Sequence, residues 1–473
     1  MTTLADRFTP VRVIPRGLQP SEHRVLLAAG DVVAAIAAVV IALWLWSIPA
    51  GERFSFAFVA RQGWWFVAAL VWMIAAAIPA APSSIAFSGR RTLATLFRGS
   101  LILLIAYGAW FFYAPRGVLP RLVVLYFLWE ATLLTLAWRL MFVAVFSQQR
   151  FRQRAIIVGS GPAAAAAFAT LRQHRARQTD VIGAVPVGGE SSVPADLPAI
   201  DAERLLEIAV ERGASEIVLA LSQAPSDALL KTLFACQEAG AQVVRVQTLT
   251  EQVLQRVPVD LLEPDWLMTD LADAMRMKEA SWIAKRLLDL AGATIGIATL
   301  IVLSPFIALA IVLDSGAPVF YRQQRVGRAG SLFTVTKFRT MTTDAERPGE
   351  ARWADPDDPR TTRVGRWLRR TRLDELPQFV NILRGEMSLV GPRPERREFI
   401  ASLQSAIPFY RARLMVPPGL TGWAQVNLPY GDSVDAARAK LEYDLYYVKH
   451  RSVAFDVAII LRTFGIVARF GGR

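Results

Sequence analysis

Residues 282–313 read WIAKRLLDLAGATIGIATLIVLSPFIALAIVL, an apolar segment on which the architecture of the chain depends. The segment is long enough to cross a bilayer, because about 20 apolar residues suffice. Ser304-Pro305 interrupts it, and a proline bends a helix by removing a backbone donor. Basic residues flank both ends, with Lys285-Arg286 at the start and three arginines within 322–328. Because positive charge favours the cytoplasmic side, we predict a re-entrant helix–break–helix, with a plain fifth span as the alternative.

The composition indicates a membrane protein with room for two to four domains. The chain has 473 residues, of which 53% are hydrophobic and 20% charged, and its mean hydropathy is +0.33. A chain of this kind can bury enough apolar surface to fold, which excludes a disordered protein. The single cysteine, Cys236, excludes an internal disulfide framework, and three histidines leave little material for a zinc site. We therefore expect chemistry based on carboxylates and arginines.

Residues 1–150 are predicted to form a bundle of four transmembrane helices. The apolar runs are Val25–Ile48, Trp64–Ala81, Leu93–Ala114 and Leu119–Phe146. Arginines precede the first run, separate the second from the third and follow the fourth, so the amino terminus and everything after residue 150 are predicted to face the cytoplasm. Glu130 and Arg139 lie within the fourth run, and we expect them to face neighbouring helices or an interface rather than to act chemically.

The net charge of +13 is unevenly distributed. It amounts to +8 over residues 1–150, −5 over residues 151–280 and +10 over residues 281–473. The excess positive charge therefore lies in the apolar and carboxyl-terminal parts, and no basic stripe with stacking aromatic residues accompanies it. This pattern argues against binding of nucleic acid.

Residues 151–265 are predicted to form a Rossmann-like cytoplasmic domain, because short apolar strands alternate with helices. The predicted elements are Ala155–Gly159, Ala163–Arg172, Val181–Val187, Asp201–Arg212, Glu216–Leu221, Asp227–Gly240 and Gln242–Val246. The stretch Gly159–Ala164 fits G-x-G-x-x-A, but Asp180 precedes the second strand instead of ending it. A structural use of the glycines, or an interaction domain, is therefore favoured over a bound dinucleotide. A membrane-bound sugar dehydratase is excluded because no Tyr-x-x-x-Lys pair is present.

Residues 280–473 are predicted to form a mixed α/β catalytic domain that includes the re-entrant helix. The adjacent pair Asp374-Glu375 is flanked by four arginines, namely Arg369, Arg370, Arg372 and Arg393. Arginine complements phosphate oxygens, so the neighbourhood indicates a phosphate site. One carboxylate can attack phosphorus while the other holds a hard cation such as Mg²⁺. An ordinary acidic pair at the start of a helix is the alternative.

The stretch from Lys285 to about Arg451 resembles the bacterial sugar transferases, the polyprenyl-phosphate hexose-1-phosphate transferases that are also termed monotopic phosphoglycosyl transferases. The matching motifs are Lys285-Arg286-x-x-Asp289, Ser304-Pro305, Gln324-Arg325-x-Gly327, Lys337-x-Arg339-Thr340-Met341, Leu373–Gln378 and Gly391–Glu395. The four spans and the middle domain are similar to the large form, the undecaprenyl-phosphate glucose phosphotransferases. Arg372 departs from the pattern, since serine is frequent there.

The resemblance implies a reaction at the cytoplasmic face of the bacterial inner membrane. Asp374 would attack a UDP-hexose, with UDP-glucose as the expected donor, and release UMP. Glu375, with Asp374, would hold Mg²⁺, and a polyprenyl (undecaprenyl) phosphate would accept the sugar phosphate from the aspartate. Further residues are expected to bind phosphate or support the site: Lys337, Arg339, Arg369, Pro392, Arg393 and Glu395. This reaction would be the first membrane step of exopolysaccharide or O-antigen synthesis.

Three alternatives stay open at this point. The protein could be a non-catalytic membrane regulator or assembly platform for polysaccharide export, or an ordinary glycosyltransferase that releases UDP. The acidic middle domain could serve as a homodimer contact. Residues 452–470 are apolar but interrupted by charges, so an interfacial helix is favoured over a sixth span.

Overall fold

The computed structural model describes most of the chain in separate stretches. These are residues 14, 20–62, 65, 67–70, 72, 89–111, 121–148, 152–176, 178–187, 196–221, 223–262, 266, 270–271, 279–343, 345, 358–429, 431 and 433–467. The chain divides into two compact units, Met1–Val253 and Leu254–Arg473, and each is described by itself.

The first unit begins with four helices in the part of the chain that the structure describes. They are α1 (Pro20–Ala50), α2 (Phe56–Arg61), α3 (Gly89–Phe111) and α4 (Arg121–Phe146). Within them, Val25–Ala50 and Leu122–Phe146 are long and apolar enough to cross a membrane, while α3 holds a shorter apolar stretch at Thr95–Ile105. The predicted span Trp64–Ala81 falls largely outside the described residues.

Helices α1 and α4 are joined by an ion pair between Asp31 and Arg139. Nε of Arg139 lies 3.2 Å from Oδ1 of Asp31, and Nη2 lies 2.7 Å from Oδ2. Gly30 permits this close approach, because a Cβ there would lie 1.9 Å from the ring of Trp138. A bidentate pair lowers the cost of placing charge at membrane depth, so the expectation that Arg139 faces a neighbouring helix is confirmed.

The second part of the first unit is a four-stranded parallel sheet, as the alternation of strands and helices predicts. The strands are β1 (Gln153–Gly159), β2 (Thr179–Val185), β3 (Glu216–Ala220) and β4 (Gln242–Arg245), in the order β2-β1-β3-β4. The helices between and after them are α5 (Gly161–His174), α6 (Leu205–Glu211), α7 (Asp227–Glu238) and α8 (Val246–Leu254). Gly159 has a φ of 142°, and a Cβ there would lie 2.0 Å from the carbonyl oxygen of Ala220. The backbone itself therefore requires this glycine.

The second unit is built on the long helix α9 (Glu279–Ser315), followed by an antiparallel hairpin of β5 (Phe320–Val326) and β6 (Leu332–Phe338). The remaining helices are α10 (Arg363–Thr371), α11 (Phe379–Arg384), α12 (Arg397–Ala406), α13 (Trp423–Asn427), α14 (Val434–His450) and α15 (Val453–Val467), with 3-10 helices at Val259–Leu261, Arg328–Gly330, Leu373–Gln378 and Tyr410–Met415. Strands β7 (Ser388–Val390) and β8 (Gly419–Thr421) pair in parallel.

Helix α9 differs from the sequence-based expectation in one respect. The predicted interruption at Ser304-Pro305 is not present, since the helix continues through both residues. A single proline removes one backbone donor, and it can bend a long helix without ending it. The span Trp282–Ser315 is long and apolar enough to cross a membrane.

One face of α9 packs on the second unit along its length. Near the start, a Cβ at Gly292 would lie 2.5 Å from the side chain of Leu389. Near the end, Ile307 and Ile311 join a buried cluster with Phe338, Leu368 and Leu376. The opposite face exposes large apolar side chains, namely Ile301, Val302, Phe306, Leu309 and Leu313. The helix therefore has a packed face and an uncovered apolar face.

Candidate active site

The acidic pair lies on the 3-10 helix Leu373–Gln378, directly after α10. Arg372 links the two helices in the left-handed conformation, with a φ of 54°. Asp374 and Glu375 are both buried, with 8% and 7% of their surface exposed. With three residues per turn, adjacent side chains of a 3-10 helix point in different directions. The two carboxylates therefore occupy different surroundings.

Glu375 is surrounded by cationic side chains. Its Oε1 accepts hydrogen bonds from Nζ of Lys337 at 2.8 Å and from Nη2 of Arg393 at 3.0 Å. Nη1 of Arg372 lies 3.6 Å from Oε2. Burial alone would raise the pKa of Glu375, but the charges of Lys337, Arg393 and Arg372 outweigh it and hold the pKa below its usual value. Glu375 is therefore an ionised anchor for three cations.

Asp374 has no such partners. It accepts no hydrogen bond and forms no ion pair with any residue that the structure describes. Burial, together with the neighbouring charge of Glu375, raises the pKa of Asp374 to about 6, against the opposing charges of Lys337, Arg369 and Arg393. A buried carboxylate with uncommitted oxygens is available to an incoming reactant.

Lys337 comes from the end of β6, and the hairpin brings it over the 3-10 helix. Burial lowers the pKa of its ammonium group, although the charge of Glu375 opposes that shift. Lys337 and Arg393 thus lie together beside the acidic pair.

Arg339 and Arg369 lie further from the acidic pair. Nη2 of Arg339 donates to the carbonyl oxygen and to Oγ of Ser315, each at 2.9 Å, so Arg339 holds the end of α9. Nε of Arg369 donates to Oγ1 of Thr340 at 2.9 Å, and its Nη1 to Oγ1 of Thr361 at 3.2 Å. Arg369 acts on Asp374 only through its charge.

A polar cavity of about 560 Å³, open to the surface, includes Ser315, to which Arg339 donates a hydrogen bond. It is lined by Asp314, Ser315, Thr342, Thr343, Thr362 and Arg363. Ser315 also accepts hydrogen bonds from Arg339, whereas Nε and Nη1 of Arg339 are buried without a partner among the residues that the structure describes. Hydroxyls with one carboxylate and one guanidinium suit a polar, hydroxyl-bearing ligand. No motif in the sequence indicated this cavity, because its lining comes from three separate segments.

Pro392, Arg393 and Glu395 belong to the loop Gly391–Glu395. Only the side chain of Arg393 reaches the acidic pair, while Oε1 of Glu395 lies 3.9 Å from Nη1 of Arg413. Arg413 and Asp444 form a buried ion pair at 2.8 Å behind this loop. Sequence reasoning missed Arg413 entirely. The sequence analysis assigned no role to Asp444 either.

The donor set of the acidic pair fits Mg²⁺. Across the described ranges there is no cluster of three or more acidic, histidine or cysteine side chains that would hold a metal by itself. Mg²⁺, however, is commonly held by one or two carboxylates together with substrate phosphates. Asp374 has uncommitted oxygens, and Oε2 of Glu375 has one long contact with Arg372. These carboxylate oxygens are ligands of the kind that a cation shared with substrate phosphates requires.

Comparison with known proteins gives a consistent picture. The family model described as "Bacterial sugar transferase" matches residues 280–470. The chain is 39% identical over 242 residues to a UDP-N-acetylgalactosamine-undecaprenyl-phosphate N-acetylgalactosaminephosphotransferase of Aeromonas hydrophila, covering 51% of this chain and 56% of the relative. It is 34% identical over 322 residues to an undecaprenyl-phosphate glucose phosphotransferase of Komagataeibacter xylinus, covering 67% and 59%.

A third relative is shorter. It is a UDP-glucose:undecaprenyl-phosphate glucose-1-phosphate transferase of Caulobacter vibrioides, which is 40% identical over 208 residues, or 44% of this chain and 78% of the relative. The chain thus spans a little over half the length of the first two relatives and most of the third. Its long apolar helices and these relatives make it a membrane protein. It belongs to the bacterial sugar transferase family.

Proposed function

We propose that this protein transfers hexose-1-phosphate from a UDP-sugar to polyprenyl phosphate, specifically undecaprenyl phosphate, and releases UMP. The observation that carries the proposal is the difference between two adjacent buried carboxylates: Glu375 is neutralised by three cations, whereas Asp374 has no hydrogen bond or ion pair within the described part of the chain. Glu375 is thereby arranged to balance the charge of the cations, and Asp374 is arranged to react. The names of the three relatives describe transfer of sugar phosphates to undecaprenyl phosphate.

The proposed reaction has two displacements at phosphorus. A carboxylate oxygen of Asp374 attacks the sugar-linked phosphorus of the UDP-hexose, forming an oxygen–phosphorus bond as the bond to UMP breaks. An oxygen of the polyprenyl phosphate then attacks the same phosphorus, which regenerates the carboxylate and yields polyprenyl diphosphate hexose. Covalent catalysis divides one difficult transfer into two easier steps.

The cations beside Glu375 support this chemistry. Lys337 and Arg393 are held at 2.8 and 3.0 Å from the same oxygen, so their remaining N–H groups are oriented before a substrate arrives. Preorganised donors of this kind stabilise the charge that develops on phosphate oxygens. Mg²⁺, held by Asp374 and Glu375 with the diphosphate, would supply further neutralisation of that charge.

The packing of α9 supports an active site on the cytoplasmic face. Nζ of Lys285 lies 2.6 Å from Oδ2 of Asp456, and at the other end Oδ2 of Asp314 accepts from the backbone N–H of Val364 at 3.0 Å. Both ends of α9 thus contact the same unit, which supports entry into and exit from the bilayer on one side. We therefore propose that α9 is re-entrant and bent at Pro305, with its uncovered apolar face in the inner leaflet of the bacterial inner membrane.

The donor sugar is proposed to be glucose, from the family resemblance alone. The relatives' names include both glucose and N-acetylgalactosamine. The polar cavity that includes Ser315 is a candidate for the hydroxyl-bearing part of the UDP-sugar. We propose no dinucleotide for the Rossmann-like middle domain, because its Gly159 serves a close contact between strands β1 and β3. A homodimer contact is the proposed role of that domain.

The test is Asp374→Asn in the full-length protein, assayed for UMP release with Mg²⁺, undecaprenyl phosphate and a panel of UDP-sugars. We expect turnover to fall by about 10³-fold or more, since the nucleophile is lost. Asp435→Asn, at an exposed acidic residue of α14, is the control and should keep full activity.

Undiminished turnover by Asp374→Asn would refute the proposal, and release of UDP would identify an ordinary glycosyltransferase. No turnover by the wild type with any sugar would favour an assembly platform. Mass spectrometry of the lipid product identifies the sugar.

A further inference from the structure

The loop Gly391–Glu395 carries Arg393 and has little regular secondary structure. Four successive carbonyl oxygens of this loop nevertheless accept hydrogen bonds from the surrounding fold. Pro392 accepts from N of Gly419 at 2.9 Å, Arg393 from Nη2 of Arg413 at 3.1 Å, Pro394 from Nη1 of Arg325 at 3.2 Å, and Glu395 from N of Val326 at 3.0 Å. Because Pro392 and Pro394 have no N–H, their backbone can take part in hydrogen bonds only through these carbonyl oxygens.

Arg413 differs from the other three donors because it is itself fixed by a buried network. Its Nε and Nη2 donate to Oδ2 of Asp444 at 3.0 and 2.8 Å, and its Nη1 donates to the hydroxyl of Tyr410 at 3.2 Å. Arg413 is 4% exposed and Asp444 is 2% exposed. One planar guanidinium thus joins α14, the 3-10 helix Tyr410–Met415 and the loop.

The two ends of Arg393 are therefore set by different partners. Its carbonyl oxygen is held by Arg413, and its guanidinium reaches Oε1 of Glu375 at 3.0 Å. A shift of the loop by about 1 Å would break the second contact, and misplacement on that scale costs up to about 10²-fold in rate. Arg413 touches neither carboxylate of the acidic pair in the described part of the chain, so any effect on the reaction must pass through the loop.

We propose that Arg413, oriented by Asp444, is a positioning residue that fixes Arg393 against Glu375. This inference rests on the proposed transferase function, because its readout is turnover. Lysine cannot replace Arg413, since one ammonium group cannot reach Asp444, Tyr410 and the loop carbonyl in the same fixed geometry.

The test is a double-mutant cycle in the full-length protein with Arg413→Lys, Arg393→Ala and the double variant. We expect Arg413→Lys to lower kcat by about 10²-fold in the wild-type background. In the Arg393→Ala background the same substitution should change kcat by less than about threefold, because the group that it positions is absent. Effects that multiply in the double variant would overturn the proposal, as would a wild-type kcat for Arg413→Lys.

Two further variants separate positioning from general destabilisation. Arg175→Lys alters a buried ion pair with Glu216 in the first unit and should leave kcat unchanged. If Arg413→Lys does not fold, Asp444→Asn takes its place, because it keeps an acceptor oxygen and removes only the charge. Asp444→Asn should also lower kcat in the wild-type background, and it should have little effect on kcat in the Arg393→Ala background. Activity in Asp374→Asn would refute the transferase proposal itself, whereas full activity of Arg413→Lys beside an inactive Asp374→Asn would refute only the positioning role.

Discussion

Nζ of Lys337 donates a hydrogen bond of 2.8 Å to Oε1 of Glu375 across a separation of 38 residues in the chain. The contact joins the end of strand β6 to the 3-10 helix that carries the acidic pair. It places a positive charge beside Glu375 and leaves Asp374 without a partner among the described residues. The charge balance of the site therefore depends on a contact between distant segments.

Replacing Lys337 tests that balance. Lys337→Gln removes one of three cations from a buried carboxylate, and breaking a buried pair of this kind costs about 3–5 kcal/mol as an upper bound. Because Arg393 and Arg372 remain, we expect a smaller loss of stability, seen as a lower Tm, and a drop in turnover of at least about tenfold. Lys337→Arg keeps the charge, so it should retain more of the stability and more of the turnover than Lys337→Gln. Equal activity in Lys337→Gln and the wild type would contradict this role.

Removal of divalent cations tests the metal proposal. EDTA should abolish UMP release, and added Mg²⁺ should restore it, because two carboxylates alone leave most coordination positions to substrate and water. Glu375→Gln should raise the Mg²⁺ concentration needed for half-maximal rate, since one ligand charge is lost. Turnover that persists in EDTA would show that Lys337 and the arginines neutralise the diphosphate without a metal.

Cysteine labelling tests the path of α9. Lys231 in the first unit and Ser405 in the second are exposed, whereas the native Cys236 is buried. We expect Lys231→Cys and Ser405→Cys both to resist a membrane-impermeant maleimide in intact cells and both to react in inverted vesicles. The unsubstituted protein, with its buried thiol, supplies the background. Reaction of Ser405→Cys alone in intact cells would show that α9 is a plain span.

Gly365 tests the packing behind the site. A Cβ at Gly365 would lie 2.1 Å from the carbonyl oxygen of Thr340, whose hydroxyl accepts the hydrogen bond of Arg369. Gly365→Ala should therefore destabilise the protein by about 1–3 kcal/mol, because backbone cannot move aside easily. Gly465 lies in helix α15 with open space around it, so Gly465→Ala should be neutral or stabilise by up to about 1 kcal/mol. Thermal unfolding measures both, and equal Tm values would contradict the steric argument.

Several features followed from local patterns. Runs of apolar residues gave the positions of α1, α4 and α9, because a bilayer requires a minimum length. Alternating short strands and helices predicted the parallel sheet. The motif Leu373–Gln378 is contiguous in the sequence, and the structure shows that it forms a 3-10 helix. Each of these signals lies within a few dozen residues, where periodicity and residue type are sufficient.

Local sequence patterns could not predict which partners the individual arginines contact. Arg339 and Arg369 carry the charge expected of phosphate ligands, but the structure commits Arg339 to the end of α9 and Arg369 to two threonine hydroxyls. Arg413 carried no distinguishing sequence signal, because its role comes from burial against Asp444. Charge alone does not reveal which acceptor an arginine meets.

The sequence by itself determined the class of protein, the adjacency of Asp374 and Glu375, and the family motifs around them. Only the tertiary structure decided that Lys337 and Arg393 converge on Glu375, while Asp374 meets no hydrogen-bond or ion-pair partner in the described ranges. The physical reason is that two residues can be neighbours in the chain and still have different surroundings in the fold. Burial and long-range ion pairs, which arise only when distant segments pack, set the charge state of each carboxylate.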